Sequence, residues 1–270
     1  MELIKVKLPK AKGLIVAPIG DIQYSGPNGP TASDSLRRHI DRCLELGAYF
    51  VGTGDFIDFL SPSNRRRLIA ADLYDTAQDV ITERAMELND AVFDLFLKDT
   101  VGRWLGMVEG HHFYEAGGQT TDQILANRLK TTFLGTSAFI RLDAFDVTIY
   151  VNHSTGAGKL PGAALNKGYH LAAGLEGADI YLFGHDTKLS TTRLSRPFPQ
   201  WDKPPYVLKH HDIWIVNCGG FARSNIVGHR HGTIPRGDYA EAAMMVPSPL
   251  SAPLIHIQAA DVHDRIRVAI

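Results

Sequence analysis

The sequence predicts an α/β fold, a two-sheet β-sandwich flanked by helices, formed by a single domain over residues 1–270. Three observations predict it. Apolar runs alternate with helical patterns in the order βαβαβα up to about residue 130, and a mainly β half with one more helix follows. Ser137–Leu142 and Val147–Val151 are apolar runs separated by a short turn, the signature of an antiparallel hairpin. Five apolar runs end in polar side chains able to bind a metal: Leu14–Ile19 before Asp21, Phe50–Gly54 before Asp55, Trp104–Val108 before His111 and His112, Val147–Val151 before His153, and Ile180–Phe183 before His185. Parallel strands deliver ligands this way, at their carboxyl ends.

Residues 2–19 supply one or two strands, and Gly26, Pro27, Gly29 and Pro30 mark a loop. Ser33 or Ser35 can cap a helix whose apolar positions are Leu36, Ile40, Cys43 and Leu44, and Gly47 stops it. After the strand into Gly54, residues 61–75 begin as a basic loop containing Arg65, Arg66 and Arg67. A helix is expected from about Ala77 to Leu97, its core stripe Val80, Ile81, Ala85, Leu88, Val92 and Leu95. Thr121 can cap a short helix through Lys130. A Gly-rich loop, 155–162, precedes a helix to about Ala173; strands are expected at 180–183, 188–194, 205–210, 213–217, 254–258 and 265–270.

With 270 residues, 44% of them hydrophobic, the chain can bury one large core or two closely joined layers. Its net charge of -1 argues against a protein that coats nucleic acid, while leaving room for a local basic groove. Cys43 and Cys218, the only cysteines, read as reduced thiols and cannot make a cysteine-based zinc site. Met1 to Lys5 carries no signal-peptide pattern, and no apolar run is long enough for a transmembrane helix. The expectation is a cytoplasmic protein with no membrane partner.

Taken singly, each candidate has an ordinary explanation. Asp21 fits a helix or turn cap, Asp58 a loop cap, His153 a hydrogen-bonded core histidine, and His185 a turn residue. His210 and His211, between two expected strands, fit a hairpin surface. The fivefold repetition of strand followed by ligand-type residue favours a metal site, because strand ends hold side chains rigidly and leave one face open.

The blocks Asp21-Ile-Gln23, Gly54-Asp55-Phe-Ile-Asp58, Gly110-His111-His112, His153 and Gly184-His185-Asp186-Thr187 resemble those of the calcineurin-like metallophosphoesterase family. The resemblance spans residues 14 to about 220. Asn217 to Phe221 and Tyr239 to Glu241 are similar to strings in phage-encoded members, which would place the protein in a host cytoplasm. It implies a metallophosphoesterase-like sandwich and a dinuclear metal centre, in which a metal-activated water attacks phosphorus. Carried over residue by residue, Asp55 would bridge the metals, Asp21 would bind the first, and His153, His185 and His111 the second. His112 would protonate the leaving oxygen or stabilise the transition state, with Asp58 orienting it. The sequence departs from the pattern where Gln23 and Thr187 replace histidines of the first site and His111 replaces the second site's asparagine. The first site is therefore expected to be weak, or to take a hard ion through Asp21, Asp55 and Gln23. Mixed oxygen and nitrogen ligands suit two divalent ions, Mn foremost, with Fe, Zn, Mg or Ni as alternatives.

Arg65, Lys159, Arg223, His229, Arg230 and His231 lie in basic stretches close in sequence to the ligand-bearing ends, where a phosphate ester, nucleotide or nucleic acid would find a positive rim. The Gly-rich loop lacks the Walker pattern. Tyr24, Phe113, Tyr114, Trp201 and Tyr206 are candidates for base stacking, with packing as the plainer role. The expected function is a metal-dependent phosphodiesterase or phosphatase, with a nuclease or nucleotide phosphodiesterase as a narrower form. The alternatives are a catalytically impaired binding or scaffold module and a zinc hydrolase of amides, the latter disfavoured by the lack of His-Glu-x-x-His. Edge strands in the C-terminal half are compatible with a homo-oligomer.

Overall fold

The computed structural model describes residues 1–60, 62–71, 73–154, 162–225, 230–231, 234–235, 246–258 and 265–270. The strands are β1 (Glu2–Val6), β2 (Gly13–Ile19), β3 (Tyr49–Gly52), β4 (Trp104–Met107), β5 (Glu115–Ala116), β6 (Gln119–Thr120), β7 (Ser137–Leu142), β8 (Val147–Asn152), β9 (Ile180–Phe183), β10 (Ser190–Gln200), β11 (Val207–Asn217), β12 (Arg230–His231), β13 (Ile234–Pro235), β14 (Leu254–Gln258) and β15 (Ile266–Ala269). The α-helices are α1 (Ser33–Glu45), α2 (Pro62–Ala70), α3 (Asp75–Val92), α4 (Thr121–Arg128) and α5 (Ala163–Gly174). Two large mixed sheets dominate, one of six strands ordered β1-β7-β8-β9-β11-β10 and one of five ordered β15-β14-β2-β3-β4. Among the described residues, no helix is long and apolar enough to cross a membrane.

Period-two alternation assigns each strand's two faces. In β2, Leu14 and Val16 join Val51, Ile140, Ile149, Val151, Ile180, Leu182 and Ile255 in a cluster drawn from both sheets, which therefore bury their facing sides together. Ala17 and Ile19, with the opposite parity, pack with Phe50 against Leu36 and Ile40 of α1, Leu88 and Val92 of α3, and Leu125 of α4. On the outer face of the six-stranded sheet, Tyr181, Phe183, Ile213 and Ile215 meet Ala172 of α5. Gly168 lets α5 approach closely, since a methyl group there would lie 2.5 Å from Ile215 Cγ2.

Several boundaries differ from the sequence reading. The basic segment after residue 61 is helical, as α2. Neither Ser33 nor Ser35 caps α1, which starts after Ala32 without a side-chain cap. Thr120, not Thr121, caps α4, its side chain accepting the Gln123 N–H. Val80 and Leu95 are exposed at 63% and 43%, outside the expected core stripe. α3 runs into a π-helical turn at Phe93–Leu97, which shifts the helical phase and turns Phe96 and Leu97 inward in place of Leu95.

The expected strands 205–210 and 213–217 are one strand, β11, and the expected hairpin surface at His210-His211 lies within it, opposite Pro197 and Arg196. β11 pairs with β9 only over Trp214–Asn217, while its pairing with β10 continues out to Val207. The remainder of the hairpin is a two-stranded arm that exposes Phe198, Trp201, Tyr206 and Leu208. Pro197 and Pro199 sit two residues apart on its outer strand, β10.

Candidate metal centre

β2, β3 and β4 run parallel in one sheet, and β8 and β9 run parallel in the other. Their carboxyl ends bring Asp21, Asp55, His111, His112, His153 and His185 to one edge of the molecule. The turns that do this are strained: Asp21, Gln23, Asp55 and His185 have φ of 46°, 49°, 56° and 67°. Left-handed backbone at non-glycine residues costs roughly 1–3 kcal/mol each and persists where surrounding bonds enforce it. Here Asp21 N–H donates to Gly54 O at 2.9 Å and Gln23 N–H to Asp55 O at 3.0 Å. Asp55 Oδ1 accepts the N–H groups of His111 and His112 at 2.6 and 2.9 Å, and Asp21 Oδ2 accepts that of His185 at 2.9 Å. The ligand loops are thus stitched together by the carboxylates they carry.

Asp55, His111, His153 and His185 offer ligand atoms that all lie within 4.8 Å of one another. His111 Nδ1 is 2.8 Å and His153 Nε2 3.1 Å from Asp55 Oδ2. The two ring nitrogens are 2.8 Å apart, and His185 Nδ1 is 3.3 Å from His111 Nδ1. Asp55 Oδ2 is nonetheless without a hydrogen bond of acceptable geometry, as is the buried Asp21 Oδ1. Ligands about 2.1 Å from a tetrahedral ion stand roughly 3.4 Å apart, so this crowding of lone pairs around an unsatisfied oxygen fits a divalent cation. His153 Nδ1–H donates to Thr53 O at 2.6 Å, which selects the tautomer with Nε2 free to coordinate.

The electrostatics agree. Burial alone would raise the Asp55 carboxyl, but His111 and His153 hold it well below the usual carboxylate range. Burial would lower His153, yet Asp55 and Asp21 raise it to about 9, so without a metal a proton supplies the positive charge. His185 is lowered to about 4 by burial and by its histidine neighbours and stays neutral, the form that coordinates. Burial pushes Asp21 up to about 7.

Beside the cluster, His112 Nδ1–H donates to Asp58 Oδ1 at 2.7 Å. Burial opposes a charged His112 ring, but Asp58 and Asp55 outweigh it and raise the pKa. Arg65 points its guanidinium at the underlying loops, Nη1 lying 2.8 Å from each of the carbonyls of Leu60, His111 and Phe113. Asp122, buried in the first turn of α4, accepts the Gly110 N–H at 2.8 Å, and Tyr114 and Thr121 exchange two further bonds. These supports were missed in the sequence. Asp122 reads there as an ordinary helix-start acid, and the Thr53 carbonyl has no side-chain signature at all.

The structure thus gathers Asp55, His111, His153 and His185 into one group and seats the His112–Asp58 pair next to it. Asp21 and Gln23 adjoin that group without belonging to it. Arg223 is exposed. Arg230 and His231 form β12, but their side chains, like Lys159, His229, Arg236, most of the Gly-rich loop and Tyr239 to Glu241, lie outside the described residues. Tyr24 packs on Phe96 in the core, and the half-buried Tyr114 packs edge-on against Phe59. Trp201 and Tyr206 pack together on the arm at the start of β11, opposite the ligand-bearing end. Neither a scan against protein-family models nor a search of curated proteins gives a significant match for this chain.

Proposed function

We propose that the protein is a metal-dependent phosphoesterase of calcineurin-like type, acting on a phosphodiester or phosphomonoester, with a nuclease or nucleotide phosphodiesterase as the narrower form. The observation that carries this reading is a carboxylate-held imidazole, His112–Asp58, adjoining a cation site made of three histidines and Asp55. A bare storage or structural metal site has no use for such a pair. Asp55, His111, His153 and His185 would hold one divalent ion, Mn foremost, and Asp21 with Gln23 would favour a second, weaker one. Such ions lower the pKa of water and neutralise charge on phosphoryl oxygens. Asp58 fixes the His112 ring and favours its protonated form, so that Nε2 can deliver a proton to the leaving oxygen.

Chelator-sensitive hydrolysis of an aryl phosphodiester with added Mn tests the reading. His112→Ala should lower turnover by about 10²-fold or more while metal content stays unchanged. Turnover indifferent to chelator, or retained in that variant, would sink it. Gln23→Ala should weaken the binding of one of two ions, as read by metal titration. The missing nitrogen ligands at Gln23 and Thr187 favour a second reading, a binding module that has lost catalysis. Absence of turnover with Mn, Mg, Zn, Co and Ni alike would support it.

A further inference from the structure

We propose that Arg65 is a positioning residue, a clip that fastens the loop bearing Asp58 to the loop bearing His112. The three carbonyls that meet Nη1 belong to Leu60, two residues after Asp58, and to His111 and Phe113, which flank His112. Direct backbone bonds between the same loops are long, with Phe59 N and Leu60 N at 3.4 and 3.5 Å from His112 O. Asp55 ties the base of the two loops together through the His111 and His112 N–H groups, and beyond it the short links are the Asp58–His112 bond and those that run through the guanidinium. Arg65 Cζ also lies 3.9 Å from the centroid of the Phe113 ring, which fixes the guanidinium plane. Asp55, Glu109, Asp122 and Glu115 all act on its charge and blunt its pull on an outside anion. All three carbonyls gather round the single Nη1 while the guanidinium lies against the Phe113 ring; a lysine ammonium carries three N–H groups, but its side chain is one atom shorter and has no planar face to stack. α2 therefore serves the site by holding the paired loops in register, and Arg65 is not a rim cation for phosphate. The catalytic consequence rests on the phosphoesterase reading, whereas the ordering of the pair does not.

The test compares Arg65→Gln, Arg65→Lys and Arg66→Gln, the last altering an exposed arginine one position along the same helix. Proton NMR follows the downfield ring N–H of His112 bonded to Asp58, identified by its loss in Asp58→Ala. Circular dichroism checks folding, and kinetics separates kcat from KM at low and high salt. Both Arg65 variants should lose or broaden the signal and lower kcat by about 10²-fold, with KM changed by less than about threefold. Arg66→Gln should do neither. If Arg65→Gln does not fold, Arg65→Lys carries the same comparison. The proposal is overturned if the signal survives in the folded Arg65 variants. It is equally overturned if Arg65→Lys restores kcat and the defect lies in a salt-dependent KM, as for a phosphate-binding cation. Should the native protein show no turnover, the phosphoesterase reading fails alone, and the NMR comparison still decides the clip.

Discussion

A methyl group at Gly110 would sit 2.1 Å from Asp55 Oδ1 and 2.2 Å from the Asp55 amide nitrogen. Both neighbours are fixed, one as acceptor of two N–H groups and the other as backbone, so neither can yield without moving a ligand. Gly110→Ala is therefore expected to weaken metal binding by at least about tenfold, some 1.4 kcal/mol, measured by calorimetric titration with Mn or Zn. Unchanged affinity would mean that the ligand loops are more pliant than their bonds imply. At this scale much of the site was legible in the sequence, because ligand chemistry is a property of residue type. Asp55, His111, His153 and His185 could be chosen from their place after apolar runs. The Thr53 carbonyl, buried Asp122 and Arg65 could not, since their roles depend on which backbone groups the folded chain brings to them. Arg65 shows why: its residue type and place in the chain suit a ligand for phosphate, while the clip proposed for it depends on three carbonyl partners that only the folded chain supplies.

Among the elements, β11 is held to its neighbours by side chains as well as by its ladder. His211 Nε2–H donates to Asp179 Oδ1 at 2.9 Å, and Asp179 Oδ2 accepts the Thr148 N–H at 2.8 Å, joining the starts of β8 and β9 to the middle of β11. The bond to Asp179 raises the His211 pKa against the effect of burial. Burial would raise Asp179, but His211, Thr148 and Arg265 lower it instead. The histidine's contribution to stability is complete below its ordinary value of about 6.5 and is lost as pH rises through the raised one. The aspartate's is complete above its ordinary value of about 3.9 and is lost as pH falls through the lowered one. His211→Ala should thus cost about 1 kcal/mol near pH 5.5, a figure reduced by solvent screening of the half-exposed ring, and little near pH 9. Denaturant unfolding at the two pH values checks this, and an equal loss at both would discount the ion pair. The sequence misled most at this scale. Lys209-His210-His211-Asp212 breaks the apolar pattern and reads as a turn, yet ladder bonds to β10 come from the backbone and continue through it. α2 lacks an apolar stripe that would announce it. The π turn after α3 could not be read from a 3.6-residue period.

For the whole molecule, the candidate cation site lies where both sheets end, with Asp55 from one sheet and His153 and His185 from the other. An ion bound there ties the sheets together and binds only the folded chain. At a hundred times its dissociation constant it should add about 2.7 kcal/mol of stability, seen as a rise in Tm that chelator reverses. A Tm indifferent to Mn, Zn and chelator would leave the four residues without a metal to hold. The mixed α/β architecture was legible because short, nearly continuous apolar runs alternate with helical patterns, as strands buried on both faces require, and sheet order was not, because pairing partners leave little trace in a single chain. The arm lies at the opposite end of β11 from the candidate metal centre, and among the described residues no strand pairs with the outer side of β10. Pro197 and Pro199 lack amide hydrogens, and lying two apart in a strand whose inner side is bonded to β11, they remove donors from the outer side. A visiting strand finds no regular ladder to join there. The molecule can therefore extend an aromatic-tipped arm into a crowded solution without seeding strand-by-strand fibre growth from one copy to the next.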